Sequence, residues 1–225
     1  AVVKAKKQGV TKSGYAETAM AEVAAFTAAL AAANTAQQQQ AIIQLEAKAM
    51  TEPGAEAPVV KSDAQEQFEA EMEKLNRNGV RFMVIGNRDR LSPSLNEVID
   101  SCMDMTSAND TLTLIVFLSY SGKWDILNAA KKMVQKAISS PEALEEVMSM
   151  GIGAFDNYLA TAGIPDPDLI VRTSGENRLS NYLLWQGAYS EFLFVDTLWP
   201  DFRKDEFRSA LEVYAKRDRR YGKVK

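Results

Sequence analysis

The sequence predicts an α/β fold with a mainly parallel central sheet and helices on both faces. Short, largely apolar runs at 80–85, 111–118 and 168–172 have the length of strands that are buried on both sides. Longer amphipathic stretches alternate with them, which is the order that strand–helix–strand units produce. Crossovers between parallel strands are expected to be right-handed, and ligand sites are expected at the carboxyl ends of the strands.

The first quarter of the chain has a divergent composition. Residues 14–33 are rich in alanine and carry apolar residues at helical spacing, which predicts a helix. A run of four glutamines lies within 34–40, a short strand is predicted at 42–45, and TEPGAEAP at 51–58 is rich in turn formers. We expect all 225 residues to form one domain, in which 34–62 is the linker-like, divergent part.

Helices and strands alternate through the rest of the chain. The predicted helices cover 63–77, 94–106, 123–138, 141–160, 182–189 and 204–217, and the predicted strands cover 80–85, 111–118, 168–172 and 192–195. The helices have apolar residues three to four positions apart, and Pro141 suits a first helical turn. Ser180 is the expected N-cap of the helix at 182–189. Cys102 falls on an apolar helix face, which predicts a core residue.

The composition excludes several kinds of site. The chain has no histidine and one cysteine, which removes histidine bases, histidine metal ligands, intrachain disulfides and zinc clusters. A net charge of −4 provides no basic field that would favour nucleic acid. The longest apolar stretch, 23–33, is too short to cross a bilayer, so no transmembrane segment is expected. The location stays open between an organelle (mitochondrion or plastid), the cytoplasm and the periphery of a membrane complex.

The most informative stretch is DLIVRTSGENRLSNYLLWQGAYSE, residues 168–191. An apolar strand ends at Arg172, and Arg178 and Ser180 follow in the next loop. Guanidinium groups bind phosphate oxygens in pairs of hydrogen bonds, and a helix that begins at Ser180 would add its N–H groups and dipole. The pattern predicts a diphosphate site, with Glu191 placed to hold a cation against the anion. The alternative, that the arginines form ordinary surface salt bridges, stays open.

This stretch resembles the C-terminal signature of the cis-prenyltransferases, the undecaprenyl diphosphate synthase family. The similarity continues through FVDTLWPDF at 194–202 and RRYG at 219–222. Upstream, NGVRFMVIGNRDRLSPSL at 78–95 resembles the family's Asn-Gly-Val-Arg strand and the Leu-Pro turn after it. LSYSGKWDI at 118–126 is similar to the family's Asn-Tyr-Gly-Gly-Arg-x-Glu-Ile. The resemblance implies a cis-prenyltransferase-like version of the α/β fold.

The resemblance also implies a substrate site. Arg172, Arg178 and Ser180 would hold the diphosphate of isopentenyl diphosphate. Gly122 and Lys123 lie at the end of a predicted strand, in the motif that the family match covers, and they would add a small anion nest to the same site.

Other residues are implied to act between subunits. Glu191 would be a magnesium ligand that acts across a dimer interface. Arg220 and Gly222 fit the family's C-terminal Arg-x-Gly, which reaches toward a neighbouring active site. The C-terminal half is dense in aromatic residues, which are enriched in interfaces, so we expect a homo- or hetero-oligomer with other protein subunits through this half.

The N-terminal part departs from the family pattern. Val3 stands where the first motif has Arg, Tyr15 where Gly-His-x-x-Gly has His, and AKAMTE at 47–52 where the family has Phe-Ser-Thr-Glu-Asn-Trp. Ionisation of an allylic diphosphate requires a metal and cationic groups around the leaving group.

We therefore expect an inactive cis-prenyltransferase-like protein without a cofactor, acting as a structural or accessory subunit of a larger assembly. Two alternatives stay open. One is an accessory subunit of a heteromeric cis-prenyltransferase. The other is an active polyprenyl diphosphate synthase that uses magnesium and condenses isopentenyl diphosphate with an allylic diphosphate.

Overall fold

The computed structural model describes residues 2–5 and 63–218 of the chain. The predictions for the N-terminal helix, the glutamine run, the short strand and the linker lie outside these residues. So do those for Tyr15, 47–52, Arg220 and Gly222.

Helices and strands alternate in the described residues up to the helix at 122–137, which a second helix and then two strands follow. In chain order they are β1 (Val2–Ala5), α1 (Asp63–Arg77), β2 (Val80–Ile85), α2 (Pro93–Met105), β3 (Leu112–Phe117), α3 (Gly122–Ala137), α4 (Pro141–Ser149), β4 (Leu169–Arg172), β5 (Glu191–Phe194) and α5 (Lys204–Ala215). Short 3₁₀ helices lie at Arg88–Arg90, Ile152–Tyr158 and Trp199–Asp201. The strands form one sheet in the order β1-β3-β2 and a second, parallel pair of β4 and β5. The predicted α/β class is confirmed.

Two predicted helices differ from the structure. The helix at 141–160 ends at Ser149, because Met150 and Gly151 adopt extended backbone, and a 3₁₀ helix follows. Gly151 and Gly153 have low helix propensity, which accounts for the break. The helix predicted at 182–189 is absent, and the chain forms consecutive turns there.

The described residues divide into two compact units, residues 3–5, 63–83 and 93–114 in one and residues 2, 84–92 and 115–218 in the other. The first unit has its core where α1 and α2 bury Met72, Leu75 and Ile99. Cys102 is buried on α2 and confirms its prediction as a core residue. Thr106 ends this helix, where its hydroxyl donates to the carbonyl of Cys102 and accepts the N–H of Phe82.

The second unit contains α3, α4 and the β4–β5 pair. Ser121 caps α3 by accepting the N–H of Trp124, and Ser140 caps α4 by accepting the N–H of Ala143. An ion pair of 2.5 Å between Lys136 and Glu146 joins these two helices. Among the helices that the structure describes, none has the length and apolar character needed to span a membrane.

Candidate functional site

Strand β4 carries Arg172 to one end of the parallel pair. Arg172 is in register with Phe194, the last residue of β5. The chain then reverses through Ser174 and Gly175, whose φ angles are 70° and 67°. Their N–H groups donate to the carbonyls of Thr197 and Val195, at 2.9 and 3.0 Å, which fixes this turn against the segment that follows β5. The turn brings the next residues back over Arg172.

Arg172 connects the residues of this loop. Its Nη1 donates to the carbonyl of Arg178 at 2.5 Å and to Oγ of Ser180 at 2.8 Å. Its Nη2 donates to Oε2 of Glu176 at 2.7 Å, and Arg178 forms an ion pair with the same oxygen. The structure thus brings together the three predicted residues and adds Glu176, which sequence reasoning missed.

The two arginines have different environments. The side chain of Arg172 is 27% exposed and that of Arg178 is 64% exposed. Arg172 therefore holds the loop together through its hydrogen bonds, while Arg178 exposes most of its side chain to solvent. With one carboxylate between two guanidiniums, the cluster has one net positive charge, which favours a multivalent anion.

The prediction of a helix N-terminus at Ser180 is wrong. Ser180, Asn181 and Leu183 have φ angles of 52°, 62° and 46°. Left-handed residues cannot continue a right-handed α-helix, so no helix dipole contributes to the anion site there. The left-handed backbone instead turns Asn181 toward the start of α3.

Asn181 attaches the loop to the first turn of α3. Its carbonyl accepts the N–H of Gly122 at 2.7 Å, and its Oδ1 accepts the N–H of Lys123 at 2.9 Å. The backbone donors that were predicted to form an anion nest are therefore bonded to Asn181. A Cβ on Gly122 would lie 2.6 Å from Cγ of Leu184, so glycine permits this close approach.

A buried carboxylate attaches the other end of the loop to α3. Asp125 is 1% exposed. Its Oδ1 accepts the N–H of Ala160 at 2.7 Å, and its Oδ2 accepts the hydroxyl of Tyr120 at 2.9 Å and Nε2 of Gln186 at 3.0 Å. The same Nε2 lies 2.8 Å from Oγ1 of Thr161. Three donors satisfy the carboxylate that burial would otherwise penalise.

Tyr120 contacts this carboxylate, and Tyr182 packs against Tyr120. Burial, with the charge of Asp125 and its hydrogen bond, raises the pKa of Tyr120 far above its ordinary value. Burial also raises the pKa of Tyr182, whose ring packs edge-on against that of Tyr120 at 6.0 Å. Both phenols therefore stay protonated at neutral pH, and Tyr120 acts as a donor rather than a base.

Glu191 lies at the other end of the parallel pair. It is in register with Leu169, three residues before Arg172, so about 10 Å of strand separates it from the arginine cluster. Its Oε2 accepts Nη1 of Arg217 at 2.6 Å. In the part of the chain that the structure describes, no group of three metal-binding side chains occurs. Magnesium needs several oxygen ligands, and Glu191 alone among the described residues does not supply them.

The comparisons with known proteins identify the family. The undecaprenyl diphosphate synthase family model, Prenyltransf, matches residues 14–222. The chain belongs to this family of cis-prenyltransferases. The match includes the Arg172 loop, the start of α3 and β5.

Named relatives support the same assignment. An isoprenyl transferase from Chlorobaculum tepidum is 42% identical over 154 residues, which are 67% of this chain and 56% of the relative. A ditrans,polycis-undecaprenyl-diphosphate synthase ((2E,6E)-farnesyl-diphosphate specific) from Coxiella burnetii is 45% identical over 150 residues, 67% of this chain and 62% of the relative. The chain thus spans less than two thirds of the length of these curated relatives.

Solved structures share the fold. Lavandulyl diphosphate synthase from Lavandula x intermedia, in complex with dimethylallyl diphosphate, has a TM-score of 0.59 and 28% identity and covers 72% of this chain and 73% of its own. A probable undecaprenyl diphosphate synthase from Campylobacter jejuni has a TM-score of 0.58 and 29% identity and covers 73% of this chain and 77% of its own.

The expectation of an inactive subunit is wrong. Relatives that are 38–45% identical over 150–172 residues are named as isoprenyl transferases or undecaprenyl diphosphate synthases. The expectation depended on Val3, Tyr15 and 47–52, whose side chains lie outside the described residues.

Proposed function

We propose that the chain is a cis-prenyltransferase that condenses isopentenyl diphosphate with an allylic diphosphate. Two observations support this proposal. The closely placed Arg172, Arg178 and Ser180 form a cationic loop of the kind that binds diphosphate. The name of one relative specifies farnesyl diphosphate, which makes this allylic diphosphate the first substrate to test.

Within this function the loop binds and orients isopentenyl diphosphate. Arg178, the more exposed guanidinium, contacts the diphosphate, and Arg172 holds the loop in place. Because Oγ of Ser180 accepts a hydrogen bond from Arg172, its own O–H can donate to a phosphate oxygen. Fixing the diphosphate restricts the position of the prenyl carbons, which lowers the entropic part of the barrier to condensation.

We also propose that the active form is an oligomer. Glu191 lies at the opposite end of β5 from the residue that pairs with Arg172, so it cannot complete the arginine cluster of its own chain. A second copy of the chain would bring its own Glu191 carboxylate to this cluster. Tyr189 and Phe194, on either side of Glu191 in sequence, are large and exposed, as expected near a subunit contact. A different subunit in place of the second copy is the alternative outcome.

Incorporation of radiolabelled isopentenyl diphosphate into a product primed with farnesyl diphosphate, with magnesium present, tests the proposed activity. Turnover on the order of 1 per second is expected. Arg178→Ala should raise KM for isopentenyl diphosphate by tenfold or more, because the substrate loses one charge-assisted contact.

Arg77→Ala is the matched control, because Arg77 is 67% exposed and pairs with a single carboxylate on α1. Its kinetics should equal those of the wild type. Absence of product above the enzyme-free background would overturn the proposed function, and an equal KM in Arg178→Ala would remove the loop from it.

A further inference from the structure

We call the segment from Arg172 to Ser180 the arginine loop. The carboxylate of Glu176 lies between its two guanidiniums. A single oxygen, Oε2, accepts Nη2 of Arg172 at 2.7 Å and also pairs with Nη2 of Arg178. A phosphate oxygen that bridged the two arginines would need the same position. The loop is thus folded around an anion of its own.

The loop does not depend on Glu176 for its shape. Arg172 keeps its bonds to the carbonyl of Arg178 and to Oγ of Ser180 if the carboxylate leaves. The Ser174–Gly175 turn is held by bonds to backbone carbonyls, which Glu176 does not share. An incoming anion can therefore exchange with the carboxylate without dismantling the site.

We propose that Glu176 is the internal anion that the diphosphate of the substrate replaces, and that it sets the affinity of the isopentenyl diphosphate site. This inference rests on the proposed function and extends it to a residue outside the predicted set. Each binding event then exchanges one anion for another, which weakens binding and eases release of the diphosphate.

The competing explanation is that Glu176 only positions the arginines. The two explanations predict opposite signs for Glu176→Gln. A partly exposed ion pair contributes little to positioning, whereas a like charge at contact distance from a bound anion repels it more strongly. The glutamine side chain has nearly the same shape, so neutralising the charge should strengthen anion binding.

Calorimetric titration of the full chain with inorganic pyrophosphate tests the proposal. Glu176→Gln should bind pyrophosphate about tenfold more tightly than the wild type, since one repelling charge is removed. Its affinity should also fall more steeply with added salt, because the site then has two uncompensated positive charges. Glu176→Asp keeps the charge and should behave like the wild type.

Glu146→Gln is the matched control, because Glu146 is a carboxylate that pairs with a cationic side chain, Lys136, away from the loop. It should leave pyrophosphate binding unchanged. Weaker or equal binding by Glu176→Gln would overturn the proposal and leave the proposed function intact. If neither the wild type nor Glu176→Gln bound pyrophosphate, the assignment of this loop as a diphosphate site would itself be wrong, and this inference with it.

Discussion

The side-chain amide of Gln186 donates a 3.0 Å hydrogen bond to Oδ2 of Asp125 in the first turn of α3. Asn181 contacts the same turn through the N–H groups of Gly122 and Lys123. The segment that follows the arginine loop is therefore attached to α3 at two points. Changes at the start of this helix should consequently alter both the stability of the second unit and the geometry of the anion site.

Removal of the buried carboxylate should be costly. Asp125→Ala leaves the N–H of Ala160, the hydroxyl of Tyr120 and the amide of Gln186 without their acceptor. Each buried donor without a partner costs roughly 1–3 kcal/mol, so the free energy of unfolding should fall by about 3 kcal/mol or more. Urea denaturation measures this change.

Asp205→Ala serves as the control for this measurement. Asp205 is 88% exposed and forms a long ion pair of 3.7 Å with Arg208. Its loss should change the free energy of unfolding by about 0.5 kcal/mol or less. Comparable losses in the two variants would show that the hydrogen bonds of Asp125 contribute little.

Stability should decrease in alkaline solution. The pKa values of Tyr120 and Tyr182 are raised in the folded chain, whereas unfolded tyrosines titrate near 10. Above about pH 10 the unfolded chain loses these protons and the folded chain keeps them, so the unfolded state binds fewer protons. The contribution of these two protonated tyrosines to the free energy of unfolding is complete below this pH and is lost as the pH rises.

Tyr182→Phe should reduce this alkaline loss. The hydroxyl of Tyr182 is buried and has no hydrogen-bond partner among the described residues, so its removal should be neutral or stabilising near pH 7. Urea unfolding from about pH 9 to about pH 11 should show a slope that is shallower by up to about 1.4 kcal/mol per pH unit. An unchanged slope would mean that Tyr182 titrates normally in the folded chain.

The regular elements could be predicted because their signals are local. α1 and β2 have the bounds that their apolar spacing indicates, and α2, β3 and α3 differ by about one residue. The segment 182–189 has the same apolar spacing but forms turns. Asn181, the left-handed residue just before this segment, is held by bonds to α3, about 58 positions earlier in the chain, which a local pattern does not contain.

The candidate site likewise contains residues that a local pattern indicates and residues that only the fold brings together. Arg172, Arg178 and Ser180 could be found because their types and spacing indicate an anion. Glu176 lies within the same loop, but its pairing with both arginines depends on the reversal at Ser174 and Gly175. Arg217 could not be assigned to Glu191 from the sequence, because their contact joins positions 26 apart.

A methyl group at the start of α3 should weaken anion binding. Gly122→Ala would place Cβ 2.6 Å from Cγ and 2.9 Å from the backbone N of Leu184, so the turn segment must shift. Overpacking typically costs about 1–3 kcal/mol of stability, and the shift that relieves it should displace the loop and lower pyrophosphate affinity by about tenfold. Gly151→Ala is the control, because a Cβ there meets no atom within 4 Å in the described part of the chain. Equal pyrophosphate affinities in both variants would show that the contact between Gly122 and Leu184 does not affect the anion site.

Two variants with impaired activity should regain activity when they are combined in one oligomer. If Glu191 completes the site of a second copy, a mixed dimer of Arg178→Ala and Glu191→Ala contains one site with neither change. Coexpression with random pairing should then give about a quarter of the wild-type activity, because half of the dimers are mixed and half of their sites are intact.

The position of Glu191 is the reason for this expectation. It lies about 10 Å along the strand pair from Arg172 and is held by Arg217, so within one chain it does not reach the arginine cluster. If Glu191 served its own chain instead, every site of the mixed dimer would carry one change, and coexpression would yield no more activity than either variant alone. Purification through a different affinity tag on each coexpressed variant isolates the mixed dimers, and sedimentation confirms that they are dimeric. Mixed dimers without restored activity would assign Glu191 to its own subunit.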